Sequence, residues 1–518
     1  MRSHGSLLAC EVSTQAESDP RPQELPESFS KLLPTVGRLC LTRCASPVPP
    51  LNFGADPDSS PASRTAHSAR RTSTGVGAAV TGHRQRARLD REARHLAPGA
   101  SEETAAGKRV FTEGSGALLT DLDGNQYLDF AAGTLTQSLG HCHPEVVEAL
   151  TAQAGRLWNV HDAATPERAA LLEQLARLLP AHLDTYALFS TGAEAVEAAL
   201  RVVQATAPAG RNRIGALRHG FHGKTMGARM LVHWDIGNQA FAGNSVLGYA
   251  PNCYRCPLEL THPTCEVRCA SLVRKHIAEK PNVAALVFEP VQGAAGVVVP
   301  PPGYWERITE ACRANGVLLV ADEVLTGGGR TGAFLASELV GVEPDLVVLS
   351  KGMANGFPFA VLAGRAELLR SPEAATAGSY ASTYASNPLG IAAAHATLGV
   401  IERDELTERA RVLGELLGDR LATLHSRYEQ IGDVRGLGLL YGLEFVTDRE
   451  SRTPAPELAH AVHSAALDLG LRTAFGGHII RLAPPFTLDE TQLDEGVALL
   501  EQAVEQAVGR AVEQVVVA

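Results

Sequence analysis

The sequence has no apolar run approaching the ~18 residues that a membrane-spanning helix needs, so no membrane span is expected. It also lacks an excess of positive charge. Its 46 Lys and Arg against 57 Asp and Glu leave a net −11, which gives no reason to expect nucleic acid or an anionic membrane as partner. Aromatic residues are scarce at 5%, whereas the hydrophobic fraction is 45% and rich in Ala, a balance that fits a soluble α/β protein. Nine cysteines, an odd number in a long chain, argue against a secreted disulfide framework and for the reducing cytoplasm. No internal repeat is evident, and 518 residues exceed what one hydrophobic core serves, so two or more folded units are expected.

Residues 1–98 differ from the remainder. They are rich in Ser, Pro, Arg and Ala, lack sustained periodicity, and carry 13 Lys and Arg against 9 Asp and Glu. A disordered tail without assigned function is the expectation. A targeting peptide is the alternative, but Glu11, Glu17, Asp19, Glu24 and Glu27 come early and no clean apolar segment follows them.

The chain is organised around the stretch from Val317 to Gly364. Val317 to Ala321 and Leu346 to Leu349 have the length and composition of strands buried on both faces, and each ends in polar residues, Asp322-Glu323 and Ser350-Lys351. Ligands of open α/β sheets sit beyond the carboxyl ends of the strands, so this acid and this lysine are expected at one pocket. A lysine amine forms a Schiff base with an aldehyde, and a buried carboxylate keeps a heteroaromatic nitrogen protonated. Pyridoxal phosphate needs both. From this stretch alone an ordinary ion pair at two strand ends is an equal alternative.

Elsewhere, Asp121 to Asp129 carries the turn signal Asp123-Gly124 between short apolar stretches and predicts a hairpin. His141, Cys142 and His143 have a spacing that invites a metal reading, but Pro144 and the periodic run from Val146 favour a loop before a helix. A structural helix is predicted from Pro166 to Leu179. Leu188 and Phe189 lead into Ser190-Thr191-Gly192 and a helix-forming sequence, so Gly192 and Ala193 would open a helix whose free N–H groups suit an anion. In Gly220-Phe-His-Gly-Lys-Thr225, Phe221 is either core or the cover of a planar ring.

Together these residues carry a specific resemblance. The phosphate turn, Phe221-His222-Gly223, Glu289-Pro-Val-Gln292-Gly293, Ala321-Asp-Glu-Val324, Gly329-Arg-Thr-Gly332, Ser350-Lys351-Gly352, Thr383 with Asn387-Pro388-Leu389, and Ile480-Arg-Leu-Ala-Pro-Pro485 occur in the order and approximate spacing of the class III aminotransferases. The chain resembles that family from about Arg88 to its last helix. The resemblance implies an α/β fold of pyridoxal-phosphate fold type I: a large domain with a mostly parallel, seven-stranded-type sheet flanked by helices, and a smaller α+β domain from the N- and C-terminal segments. The expected division is 99–160 joining the small domain, 161–395 binding the cofactor, and 396–518 completing the small domain.

It further implies that Lys351 forms the internal aldimine and then shuttles a proton between the substrate's Cα and the cofactor. Asp322 would hold the pyridine nitrogen protonated, Val324 and Phe221 would cover the two ring faces, and Gly192 and Ala193 would bind the phosphate, with His222 beside the cofactor. Thr383 looks like the threonine that reaches the phosphate of the neighbouring subunit, which implies a homodimer with shared active sites. Arg481 matches the arginine that receives the substrate carboxylate, and Glu289 a family carboxylate near the substrate. The implied reaction is ping-pong transfer of an amino group from an amino acid or amine to a 2-oxo acid. A racemase or decarboxylating enzyme of the same fold is the alternative, and a non-catalytic scaffold is the alternative of another class.

Several positions depart from the family pattern. Members that take ω-amino substrates often carry a glutamate after Gln-Gly that masks the arginine; here Ala294 stands there, so substrates offering Arg481 a carboxylate in both half-reactions are expected. Leu325 replaces a glutamine that bonds the ring oxygen in many relatives. Lys224 stands where arginine is common, keeping a second carboxylate site with less bidentate geometry. Within an insert at 250–270, the spacing of Cys253, Cys256, Cys265 and Cys269 is compatible with a structural zinc or an iron–sulfur cluster, free thiols being the alternative.

Overall fold

The computed structural model describes residues 83–97, 108–232, 245–376 and 378–517. The chain divides into Met1–Thr72, which lies outside the described residues, and Ser73–Ala518, to which everything below belongs. Most of the expected tail therefore lies outside the described residues. Its last part does not behave as expected: His83–Ala93 is a helix. Gln85 is fully buried, donates to Asp121 Oδ2 at 2.9 Å and Asp123 Oδ2 at 2.8 Å, and accepts from Val110 N at 2.9 Å, so long-range polar contacts order a segment whose composition alone signals none.

Strands β1 (Phe111–Ser115), β2 (Leu118–Asp121) and β3 (Gln126–Asp129) form an antiparallel meander. The predicted hairpin is there, its turn held by Asp121, whose Oδ1 accepts from Asp123 N at 3.0 Å and Asn125 N at 2.9 Å.

The central sheet has seven strands, β4 (Thr185–Phe189), β5 (Arg213–Leu217), β6 (Val246–Gly248), β7 (Val283–Phe288), β8 (Leu318–Asp322), β9 (Leu346–Leu349) and β10 (Ala360–Gly364), in the order β4-β10-β9-β8-β7-β5-β6. β10 is antiparallel to both its neighbours, and the remaining pairs are parallel. This is the expected mostly parallel sheet of fold type I. Every residue of β7, β9 and β10 is buried, which is why these strands read as unbroken apolar runs: helices cover both faces. β8 and β9 are adjacent, parallel and in register at Asp322 and Val348, so Asp322 and Lys351 emerge at the same edge.

Beyond Lys351 the long helices Pro388–Arg403 and Leu406–Arg427 lead to a second antiparallel sheet. It contains β11 (Ile431–Leu437) and β12 (Leu440–Phe445). After the short β13 (Leu471–Arg472), which adds in parallel to β3, come β14 (Ala474–Gly476) and β15 (Ile479–Leu482), giving the order β11-β12-β15-β14. A short strand of the C-terminal segment thus joins the sheet of the N-terminal strands. Glu490–Val517 is the final helix.

Candidate active site

A cavity of about 890 Å³ opens beyond the carboxyl edge of the parallel strands, with a second wall from the β14–β15 hairpin. Asp322, the last residue of β8, is 5% exposed and lies on this cavity. Its Oδ2 is 2.8 Å from His222 Nδ1, and its Oδ1 accepts from Val324 N at 3.1 Å. Burial works against a charge on His222, but the hydrogen bond and charge of Asp322, with the charge of Glu289, lift its pKa above the ordinary histidine value. Lys351 follows β9, lines the same cavity, and adopts a left-handed φ of +47°, an uncommon conformation for a residue with a side chain.

The helix after β4 runs Gly192–Thr206 and begins with a capping box, in which Thr191 Oγ1 accepts from Glu194 N and Glu194 Oε2 accepts from Thr191 N. Gly192 and Ala193, its first two residues, line the cavity. A Cβ at Gly192 would come within 2.9 Å of Val324 Cγ2, so the close approach of this turn to Val324 requires glycine.

Phe221 forms part of the opposing wall and is tied down through its backbone, its N donating to Glu289 Oε1 at 2.9 Å. Glu289 Oε2 accepts from Gly293 N at 2.9 Å. Burial pushes the Glu289 carboxyl up to about 7 and the charge of Asp322 adds to this, while His222 and the two backbone donors pull the other way. Glu289 therefore bridges the Phe221 loop and the Gly293 turn. Glu323, next to Asp322 in sequence, serves packing: it accepts from Ala336 N at 3.0 Å and Ser337 N at 2.7 Å and does not line the cavity.

On the second wall, Arg481 of β15 lines the cavity in register with Gly442 of β12 and Ala474 of β14. Ala294 and Leu325 line it as well, and Lys224 is exposed at its margin. Thr383 is exposed and does not reach this cavity within its own chain; its carbonyl accepts from Asn159 Nδ2 at 2.9 Å.

Sequence reasoning missed two parts of the site. His222 was placed beside the cofactor without its partner, because only folding brings residues 222 and 322 together. Phe475 and His478 of the hairpin were not singled out at all, although both line the cavity. The Gly476-Gly477 pair between them is a hairpin signal that was available.

The zinc or iron–sulfur reading of the insert is corrected in favour of its alternative, free thiols. Among the described residues no group of three or more His, Cys, Asp or Glu side chains is placed to hold a metal ion. Cys253, Cys256, Cys265 and Cys269 are free thiols around a space of about 20 Å³, room for about one water. Burial pushes the Cys269 thiol up to about 11 and raises Cys253 too, so both are protonated near neutrality. The spacing in sequence was compatible with a ligand set; the loop does not bring the sulfurs together as one. Cys142 is exposed and Cys312 buried, and both are free.

The arrangement fits pyridoxal phosphate on its own geometry. It offers helix-opening amides behind a glycine that tolerates no side chain, two apolar walls at Val324 and Phe221, a buried acid braced by a histidine, and a lysine. A family model described as "Aminotransferase class-III" matches residues 100–504. A 4-aminobutyrate aminotransferase of Mycobacterium leprae is 34% identical over 410 residues, covering 76% of this chain and 90% of that protein. A leucine/methionine racemase of Thermococcus litoralis is also 34% identical, over 404 residues, covering 76% of this chain and 90% of that protein. Among solved structures, an amine transaminase from an uncultivated Pseudomonas species in its PLP-bound form matches with a TM-score of 0.72 and 32% identity over 80% of this chain and 98% of that one.

Proposed function

The chain belongs to the class III aminotransferases, enzymes that depend on pyridoxal phosphate, and from that premise we propose that it moves an amino group from an amino acid or amine to a 2-oxo acid, both half-reactions using the cavity at Lys351. The observation that carries this reading is the delivery of Asp322 and Lys351 by neighbouring parallel strands to one cavity, with His222 2.8 Å behind the acid.

When bound, the cofactor supplies an electron sink for the carbanion at the substrate's Cα. The chain's residues do the rest. Lys351 Nζ would hold the cofactor and would carry the proton to and from the substrate's Cα. Asp322, backed by His222, keeps the ring nitrogen protonated. Val324 and Phe221 would hold the ring between them, and the Gly192 and Ala193 amides would receive the phosphate. Arg481 takes a substrate carboxylate by paired N–H donors. Ala294 stands where relatives that take ω-amino substrates often carry a glutamate, which favours substrates carrying a carboxylate in both half-reactions. Glu289 holds the Phe221 loop, and Lys224 at the margin suits a second carboxylate. Thr383, exposed and away from its own cavity, would serve the phosphate of a second copy, so a homodimer is the working unit.

Cytoplasmic residence accords with the free state of all six described cysteines. Among the described residues no helix is long and apolar enough to cross a membrane.

The test is spectroscopic. Purified protein loaded with pyridoxal phosphate is expected to show a band near the visible edge that Lys351→Ala abolishes, and a productive amino acid given without oxo acid is expected to bleach it with stoichiometric release of the matching oxo acid. A second reading, racemisation, is favoured by the similarity to the Thermococcus litoralis racemase. It prevails if the band persists while the amino acid loses optical purity.

A further inference from the structure

The cysteine-containing insert takes no part in the chemistry above, yet one of its residues is tied to the cavity wall. Arg255, between Cys253 and Cys256, places its Nε on Glu444 Oε1 and donates from Nη1 to Arg452 O at 2.8 Å. Arg452 returns a bond to Tyr254 O at 2.9 Å, and both guanidiniums lie over the Tyr254 ring, at 5.5 and 5.0 Å. The insert is thereby clasped to the second sheet.

Glu444 is 0% exposed and is the centre of this cluster. Its Oε2 is 2.7 Å from Arg435 Nη1, and its Oε1 is 3.2 Å from His478 Nε2. Arg435 in turn donates from Nε to Gly296 O at 2.8 Å. His478 lines the cavity, and Gly296 directly follows the lining residues Ala294 and Ala295. The fit is close. Gly296 has φ +101°, and a Cβ there would meet Ile479 Cδ1 at 2.3 Å and Arg435 Nη2 at 2.9 Å. One buried carboxylate therefore links the insert, the 294–296 turn and the hairpin that carries Arg481.

We infer that Arg255 is a positioning residue for substrate: acting through Glu444, it fixes His478 and the Ala294–Gly296 turn, the wall beside which Arg481 receives a carboxylate. This rests on the aminotransferase reading of the same cavity. Arg255 does not itself line the cavity, so its influence has to pass through the Glu444 cluster. Truncating it removes one of the three side chains that bond the carboxylate and leaves His478 and Arg435 to re-divide Glu444 between them.

The experiment is a double-mutant cycle of Arg255→Ala and His478→Ala in the cofactor-loaded protein. It reads kcat and KM for the best amino donor, and the Kd of butyrate, a carboxylate with no amino or oxo group, by calorimetry. Arg255→Ala is expected to raise KM and the butyrate Kd on the order of 3- to 30-fold with kcat within about twofold, and to add little in a His478→Ala background. Arg255→Lys is expected to recover part of the loss, and it serves in place of the alanine variant if that variant does not fold. Strictly additive effects, a change in melting temperature with KM and Kd unmoved, or a wild type that binds no butyrate overturns the inference. If the wild type transaminates no donor, the proposed function fails separately, and the butyrate cycle still decides the coupling.

Discussion

The two walls of the cavity treat a buried carboxylate in opposite ways. On the parallel-sheet wall, Glu289 is given two backbone donors and the neighbouring acid Asp322, and its pKa rises to about 7. On the antiparallel wall, burial would likewise raise Glu444, but His478, Arg435 and Arg255 outweigh it and bring the carboxyl down to about 2. Burial alone therefore predicts neither charge state. The partners decide. The first wall holds Glu289 near the point of gaining or losing a proton; the second fixes the charge of Glu444 and serves as a frame.

The largest effect that would sharpen this contrast lies at the acid itself. Asp322→Ala removes the carboxylate that, on the proposed function, keeps the ring nitrogen protonated, and strands the buried His222; kcat with saturating donor is expected to fall roughly 10³-fold. A loss smaller than about tenfold would mean that the proton at that nitrogen is held by something else.

Next comes Glu444→Ala, which leaves Arg255 and Arg435 facing one another without their carboxylate. A loss of about 3–5 kcal/mol is expected in urea unfolding at neutral pH. The sign with pH follows from the lowered pKa. Stability from Glu444 is complete above about 4.5, the unfolded value, and is lost as pH falls through about 2. The wild type should therefore lose stability toward acid more steeply than the variant does.

The smallest effect is the mirror image at Glu289. Its folded pKa is raised, so the folded state holds the extra proton: the contribution is complete below about 4.5 and is lost as pH rises through about 7. Glu289→Gln is expected to flatten the stability profile between those limits, while losing about 1 kcal/mol or less elsewhere because one of the two backbone donors loses its carboxylate acceptor. If the variant keeps the wild-type slope between pH 4.5 and 7, Glu289 is charged in the folded protein and the contrast between the walls collapses.

Much of the first wall could be read from the chain. β8 and β9 are apolar because both faces are covered, and they end where the polar residues begin, so Asp322 and Lys351 were legible as strand-end groups. Gly192 and Ala193 were legible because a strand followed directly by a strong helix former leaves helix-opening amides at the turn. The second wall was largely hidden. Arg481 was singled out by its motif, but Arg255, Arg435, Glu444 and His478 come from an insert, two strands and a hairpin, and no periodicity relates them. The cysteines show the converse. Their spacing looked like a ligand set, yet Tyr254 and Arg255 tie the insert to Glu444 and Arg452, and among the described residues no cluster is placed to hold a metal ion.

What the sequence determined by itself is what depends on near neighbours: which runs are buried strands, where a helix opens, and which residue types stand at strand ends. Those follow from local hydrophobic pattern and backbone donors within a few residues of each other. Only the tertiary structure decided which acid carries a charge. That is set by the desolvation of each carboxylate and by cations that arrive from as far as 189 residues away, as Arg255 does at Glu444.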